Sequence, residues 1–378
     1  MAYEQVAVGC FLSFIYLKRK NVGLQTEESN SIAFTEGKIV MISVIFISIL
    51  ILIFFPRVRD TLDIFVIASN TGQRLRITGL ETMDNILQQI VLVGAYILFL
   101  LGVNRFYRKH KKSGNPIYVY LSLLLAISVV GIIVNESRST QVYTAFAAIY
   151  LLRRCFPGYE KKITLTVSLS ALSILLLMTI YRLFAVFYHD SYVSALSSGG
   201  LGIETIQRYV ETYLLGPQSV SATMQLRNQS YSLLTIGRLV FDTVRPIMGL
   251  NFLIKDLRLE TTSELFNTFV RGDGAGAGLL MPITAHGYLY FGWILSPIFL
   301  CVFLRLSLYL EKIMKSTRSM YILFFVSFVF IRTSTSIVSA TTSSIITAVS
   351  KAAISAGLVY ICQKIVDGIT RRKALNIV

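Results

Sequence analysis

Apolar residues run along this chain in long unbroken stretches instead of alternating with polar ones. Stretches long enough, or nearly so, to cross about 30 Å of hydrocarbon as a helix lie at 3–17, 38–55, 85–103, 116–134, 140–152, 163–187, 281–308, 319–337 and 343–363. The pattern predicts an all-α, polytopic integral membrane protein with about nine transmembrane helices. It divides the chain into an N-terminal six-span bundle (1–187), a 93-residue insertion without a span (188–280) and a C-terminal three-span bundle (281–378).

Inside the insertion the period changes. Ile203, Ile206, Val210, Tyr213 and Leu214 fall on one helical face, with Glu204, Gln207, Arg208 and Glu211 on the other, which predicts a helix lying on the membrane surface and stopped by Gly216-Pro217. A second helix is expected from about 230 to 247, with Arg238, Asp242 and Arg245 at i, i+4 and i+7 on one polar face. The run from Gly272 to Gly278 reads as a hinge leading into the seventh span.

Composition agrees with the pattern. Hydrophobic residues make up 54%, charged residues 15%, and the mean hydropathy is +0.64, which excludes an ordinary soluble enzyme. The net charge of +16 would suggest nucleic acid in a soluble protein; here its distribution matters more. Alternate loops carry Lys18, Arg19, Lys20 and Lys38; Arg105, Arg108, Lys109, Lys111 and Lys112; Arg153, Arg154, Lys161 and Lys162; Arg305, Lys312, Lys315 and Arg318; and Lys364, Arg371, Arg372 and Lys373. By the positive-inside rule that side is cytoplasmic, placing the N-terminus outside, the C-terminus inside and the insertion on the outer face. The four cysteines, Cys10, Cys155, Cys301 and Cys362, are scattered, so neither a disulfide framework nor a zinc site is indicated.

Three charges fall within spans, where each costs about 2.5–3.5 kcal/mol at a helix centre. Arg182 and Arg332 lie toward the outer ends and can snorkel; Lys351 is mid-span among Ser and Ala and calls for a polar interior. Arg138 occupies the tight outer turn Asn135-Glu136-Ser137-Arg138-Ser139. With Arg238, Arg245 and Arg332 it puts several guanidinium forks on one face of the bilayer, and such forks suit the oxygens of a diphosphate. The competing reading is local pairing, Arg138 with Glu136 and Arg238 or Arg245 with Asp242. His286, in Thr284-Ala285-His286-Gly287-Tyr288 near the outer end of the seventh span, is a candidate general base. The chain has no Walker A motif and no metal-spaced carboxylate pair on the outer loops, so ATP hydrolysis and metal-dependent use of a nucleotide sugar are disfavoured and no cofactor or metal is expected.

Several of these features together resemble the bacterial O-antigen and capsular repeat-unit polymerases (the Wzy group) and the related O-antigen ligases. They are the Ser137-Arg138 turn before the small residues Thr144, Ala145, Ala147 and Ala148; the amphipathic Arg208-Tyr209-Val210-Glu211-Thr212-Tyr213 before Gly216-Pro217; Arg238 followed by Gly249 in an Arg-x10-Gly spacing; and Pro282, His286, Tyr290, Phe291 and Gly292 after the loop. The resemblance implies a GT-C-like architecture in the bacterial inner membrane and a polymerase joining repeat units carried on undecaprenyl diphosphate at its outer face. It implies that Arg138, Arg238, Arg245 and Arg332, helped by Arg182, neutralise the donor diphosphate. His286 would deprotonate the acceptor hydroxyl, with Glu211 or Asp242 as the base if His286 is structural. Arg208, Tyr209 and Tyr213 would contact sugar, the two tyrosines serving equally well as interfacial anchors. The implied partners are lipid-linked oligosaccharides, membrane lipid, a flippase and a chain-length regulator, with no nucleic acid. A ligase of the same fold, or a flippase or transporter, which Lys351 and Arg182 would suit, is the alternative.

Overall fold

The computed structural model of the protein describes residues 8–15, 38–67, 82–134, 138–184, 216–230, 235–247, 250, 260–271, 281–339 and most of 342–359; some side chains at helix ends, including those of Arg138 and Arg182, fall outside the description. The described chain is mostly helical and divides into two compact units.

One unit comprises Ser31–Leu201, Ile313–Ile331 and Ala352–Val378. Its elements are α1 (Lys38–Phe54), the single turn α2 (Pro56–Arg59), β1 (Leu62–Ile64), α3 (Thr82–Ser113), α4 (Ile117–Val130), β2 (Ile132–Val134), α5 (Arg138–Cys155), α6 (Glu160–Phe184) and the first part of α12 (Met320–Ser339). At 32 residues α3 is about 48 Å long, more than the hydrocarbon needs, and the excess carries the basic run from Arg105 to Lys112. The fourth apolar stretch is not helical throughout. The helix ends at Val130, and the β-branched Ile132-Ile133-Val134 pairs antiparallel with Leu62–Ile64. This ribbon is a departure from a purely helical reading.

Aromatic rings join α3 to α12, with Tyr96 5.2 Å and Phe99 5.6 Å from Phe324. Several buried polar groups of the unit find partners on another element. Ser48 donates to the Ile90 carbonyl at 3.1 Å, Gln88 to Thr61 at 2.6 Å and Gln89 to Ser355 at 3.0 Å. Outward faces are apolar: Ile42, Phe46, Ile49 and Ile53 on α1, and Leu165, Leu169, Leu172 and Leu176 on α6, are all exposed. Both sets repeat at i, i+4, i+7 and i+11, a continuous stripe on each helix. Such continuous apolar faces are consistent with helices packed in lipid.

The other unit comprises Met1–Asn30, Gly202–Lys312 and Arg332–Lys351. It holds α7 (Gly216–Ser230), α8 (Ile236–Val244), α9 (Thr262–Arg271), α10 (Ile283–Leu295), α11 (Ile298–Ser316) and the end of α12. The predicted surface helix at 203–214 and the glycine run 272–278 lie outside the described residues. Gly216-Pro217 begins α7, with Pro217 in the first turn, where a missing N–H costs least. Leu226 of α7, Phe266 of α9 and Ala285 and Leu289 of α10 form a small apolar core that ties the insertion to the helix that follows it.

The predicted seventh span is not one straight rod. Helices α10 and α11 meet at 111°. Gly292 has φ 71°, outside the range that residues with a Cβ prefer, and Ser296-Pro297 makes the turn. At Gly287 a Cβ would lie 2.0 Å from the Ser296 carbonyl oxygen, so only glycine admits this fold-back. Among the described residues, Met83–Ser113 and Glu160–Ile180 are long and apolar enough to cross a membrane, with a third if α10 and α11 form one broken span; shorter apolar helices lie at Val40–Phe54, Ile117–Val130 and Met320–Thr335.

Candidate active site

Helix α8 supplies the first component. Thr235 caps it, its hydroxyl accepting from the Arg238 amide at 3.3 Å. The spacing of Arg238, Asp242 and Arg245 predicts a shared polar face; Arg245 is exposed and Arg238 half-buried, but Asp242 is not on a solvated face. Ile236 and Val240 are exposed, while Phe241 and Asp242 are buried. The expected pairing of Asp242 with a neighbouring arginine is therefore replaced by other partners.

Those partners come from α9 and α10. Helix α9 starts in a capping box: Thr261 donates its amide to Glu264 at 2.7 Å, and the Glu264 amide donates to the Thr261 hydroxyl at 3.2 Å. The next amide, that of Thr262, donates to Asp242 Oδ1 at 3.0 Å, so the carboxylate sits at a helix N-terminus, where the backbone dipole favours negative charge. The Thr262 hydroxyl also donates to Asp242 and contacts the Tyr290 hydroxyl, and Tyr290 reaches Asp242 Oδ2 at 3.3 Å. Burial pulls the Asp242 pKa up, but the adjoining His286 and the two groups of Thr262 pull it down further, so the carboxyl lies below its ordinary value and is ionised at neutral pH.

His286, on α10, is 2% exposed. Its ring stacks on Phe299 at 5.2 Å and meets Tyr290 edge-on at 5.3 Å. Nδ1 is hydrogen-bonded to the Thr342 hydroxyl. Nε2 is buried without a hydrogen-bond partner, and the Asp242 carboxylate lies 3.6 Å from it, a distance too long for a hydrogen bond and suited to an ion pair once the ring is protonated. Two residues proposed from the sequence as alternative bases thus form one dyad.

The arginines fall in different places. Arg238 lies within electrostatic range of the Tyr290 hydroxyl, at the margin of the dyad. Arg245 pairs with Glu264 at 3.1 Å and lies 5.6 Å from the Phe241 ring centre, which answers its charge locally. Arg332, half-buried in α12, belongs to the same unit and lies within electrostatic range of Lys351. Arg138, at the start of α5, and Arg182, near the end of α6, belong to the other unit, and their side chains are outside the described residues. Arg208, Tyr209, Glu211 and Tyr213 are outside them entirely.

Sequence reading overlooked Thr262, Thr342 and Arg227. The Thr-x-x-Glu box at Thr261–Glu264 marks the start of α9 and was visible in the chain. Arg227 donates to the Tyr288 carbonyl and lies 5.1 Å from that residue's ring centre, so α7 braces α10 one turn before Gly292. No cue in the sequence marked Thr342. Among the described residues no three His, Cys, Asp or Glu side chains converge as a metal site would require.

Chemically, an imidazole whose Nε2 has no hydrogen-bond partner and lies 3.6 Å from a carboxylate can take up a proton that the carboxylate then pairs. With Arg238 nearby, the site combines proton uptake with a cation suited to an anionic leaving group. No protein-family model, curated protein or solved structure matches the chain.

Proposed function

We propose that this protein is a membrane glycosyltransferase that joins oligosaccharide repeat units carried on undecaprenyl diphosphate into O-antigen or capsular polysaccharide. The proposal places it in the bacterial inner membrane with about nine spans, GT-C-like architecture, its N-terminus outside and its insertion on the outer face, working with a flippase and a chain-length regulator. The observation that carries the reading is the meeting of Asp242, from the insertion, with His286, from the segment that follows it. Transfer to a sugar hydroxyl needs a base, and the dyad supplies one.

The donor is already activated by its diphosphate, so no nucleotide or metal is called for. Arg238 and Arg332 neutralise charge as the lipid diphosphate leaves. The acceptor sugar's hydroxyl loses its proton to the His286–Asp242 dyad as its oxygen bonds to the donor's anomeric carbon. Arg245 is held by Glu264 and supports the loop rather than the phosphate.

In cells deleted for the gene, Asp242→Asn and Arg238→Ala variants should leave single repeat units on the surface lipid and abolish the polysaccharide ladder seen with the wild type. Loss of all attached sugar would assign the protein as a ligase. An unchanged ladder would refute both.

A further inference from the structure

The dyad is closed off from its substrate. Asp242, His286, Thr262 and Thr342 are each less than a tenth exposed, so an acceptor hydroxyl cannot lie against the imidazole itself. Tyr290 is the half-buried member of the network.

Hydrogen-bond accounting gives the network a direction. An ionised carboxylate only accepts, so both the amide and the hydroxyl of Thr262 point their hydrogens at Asp242. The Thr262 hydroxyl has one hydrogen, already committed, and in its contact with Tyr290 it must accept. Tyr290 therefore directs its hydrogen inward, either to Thr262 or to Asp242 at 3.3 Å, and its oxygen lone pairs are left for an incoming donor. Among the described residues, the groups facing that oxygen are Asp242, Thr262, the edge-on His286 ring and the charge of Arg238.

We propose that Tyr290 is the catalytic residue that touches the acceptor, its hydroxyl taking the proton of the attacking sugar hydroxyl and passing its own along Thr262 and Asp242 to His286 Nε2. This assignment rests on the polymerase reading. As the acceptor oxygen bonds to the anomeric carbon, that carbon's bond to the diphosphate breaks and the electron pair leaves with the lipid diphosphate. The acceptor proton moves to Tyr290, the Tyr290 proton to Thr262, the Thr262 proton to Asp242, and the Asp242 carboxylate hands it to Nε2. The ring nitrogen that lacked a partner then carries a proton facing a carboxylate 3.6 Å away. Release of the proton to water along the same chain resets the site. The arrangement also sets the donor beside the acceptor, because Arg238, the cation for the diphosphate, is a neighbour of the same hydroxyl.

The test uses the full-length protein in lipid vesicles supplied with lipid-diphosphate-linked repeat units. Tyr290→Phe should lower kcat about 100-fold or more, with KM for the donor within about twofold of wild type, since removing a positioned acid–base group typically costs about 10²–10⁴-fold. Thr262→Val should produce the same split. Fluorotyrosines of graded acidity at position 290 keep the ring and hydroxyl, so they report on a folded protein even if Tyr290→Phe does not fold; the pH–rate profile should move with phenol acidity. A Tyr290→Phe protein with wild-type kcat, or a fluorotyrosine series with one unchanged profile, overturns the relay while leaving the polymerase reading intact. Absence of chain growth with the wild-type protein would instead overturn the polymerase reading and the relay with it.

Discussion

Asp242 keeps its charge in a buried place because its surroundings are built for an anion: a helix N-terminal amide, a hydroxyl and an imidazole converge on it. Its folded pKa is below the unfolded value of about 3.9, so its contribution to stability is present above that value and is lost as the pH falls through the folded pKa. Thermal unfolding of the detergent-solubilised protein should show wild type more stable than Asp242→Asn at neutral pH, with the gap shrinking once the pH drops below about 4. A gap that stays constant to pH 3 would mean the carboxyl is not held by these partners. His286 and Asp242 were both visible in the sequence as separate candidates. Their union was not, because 43 intervening positions give no signal that the insertion folds back on the next helix, and Asp242 read as one of three charges on a solvated face.

At the scale of elements, the break between α10 and α11 matters most for the site. It lets α10 carry His286 and Tyr290 against α8 and α9 while Phe299, at the start of α11, returns to stack on the His286 ring. Gly292 kinks α10 just before the turn: its positive φ excludes a comfortable Cβ, and a Cβ there would also press within 2.9 Å of Arg227 Nη1. Gly292→Ala should therefore destabilise the protein by about 1–3 kcal/mol, measurable as a lower Tm, through the strain of holding a Cβ-bearing residue in that region. An unchanged Tm would show that the turn is not held by this residue. Apolar periodicity found most helices in the chain, since continuous hydrophobicity is a strong signal for lipid-solvated elements. It could not find the break, because Phe291, Trp293, Ile294 and Leu295 keep the stretch apolar across it. It also carried the fourth span too far, since Ile132-Ile133-Val134 is as apolar as the helix before it and only its β-branching favours the ribbon.

Across the whole molecule, charge and chemistry fall in different places. The five basic clusters that dominate the net charge of +16 are the sequence's cue to orientation under the positive-inside rule, and the proposed reaction uses a few arginines from the nearly neutral remainder. Composition alone pointed to a membrane protein, and the two to three candidate spans among the described residues and the outward apolar stripes on α1 and α6 are consistent with it. The site was legible only in part. Residue type and side of the membrane pointed to His286 and the arginines, while the threonines that complete the network are too common in helices and turns to stand out. The proposed activity is tested most directly by incubating purified protein in vesicles with lipid-diphosphate-linked repeat units, without nucleotide sugar, and resolving the products by chain length. The account predicts a ladder rising by one repeat unit per step with wild type, slowed about 100-fold or more by His286→Ala and by Asp242→Asn; donor that remains a single unit with wild type, or a ladder undiminished in both variants, would contradict it.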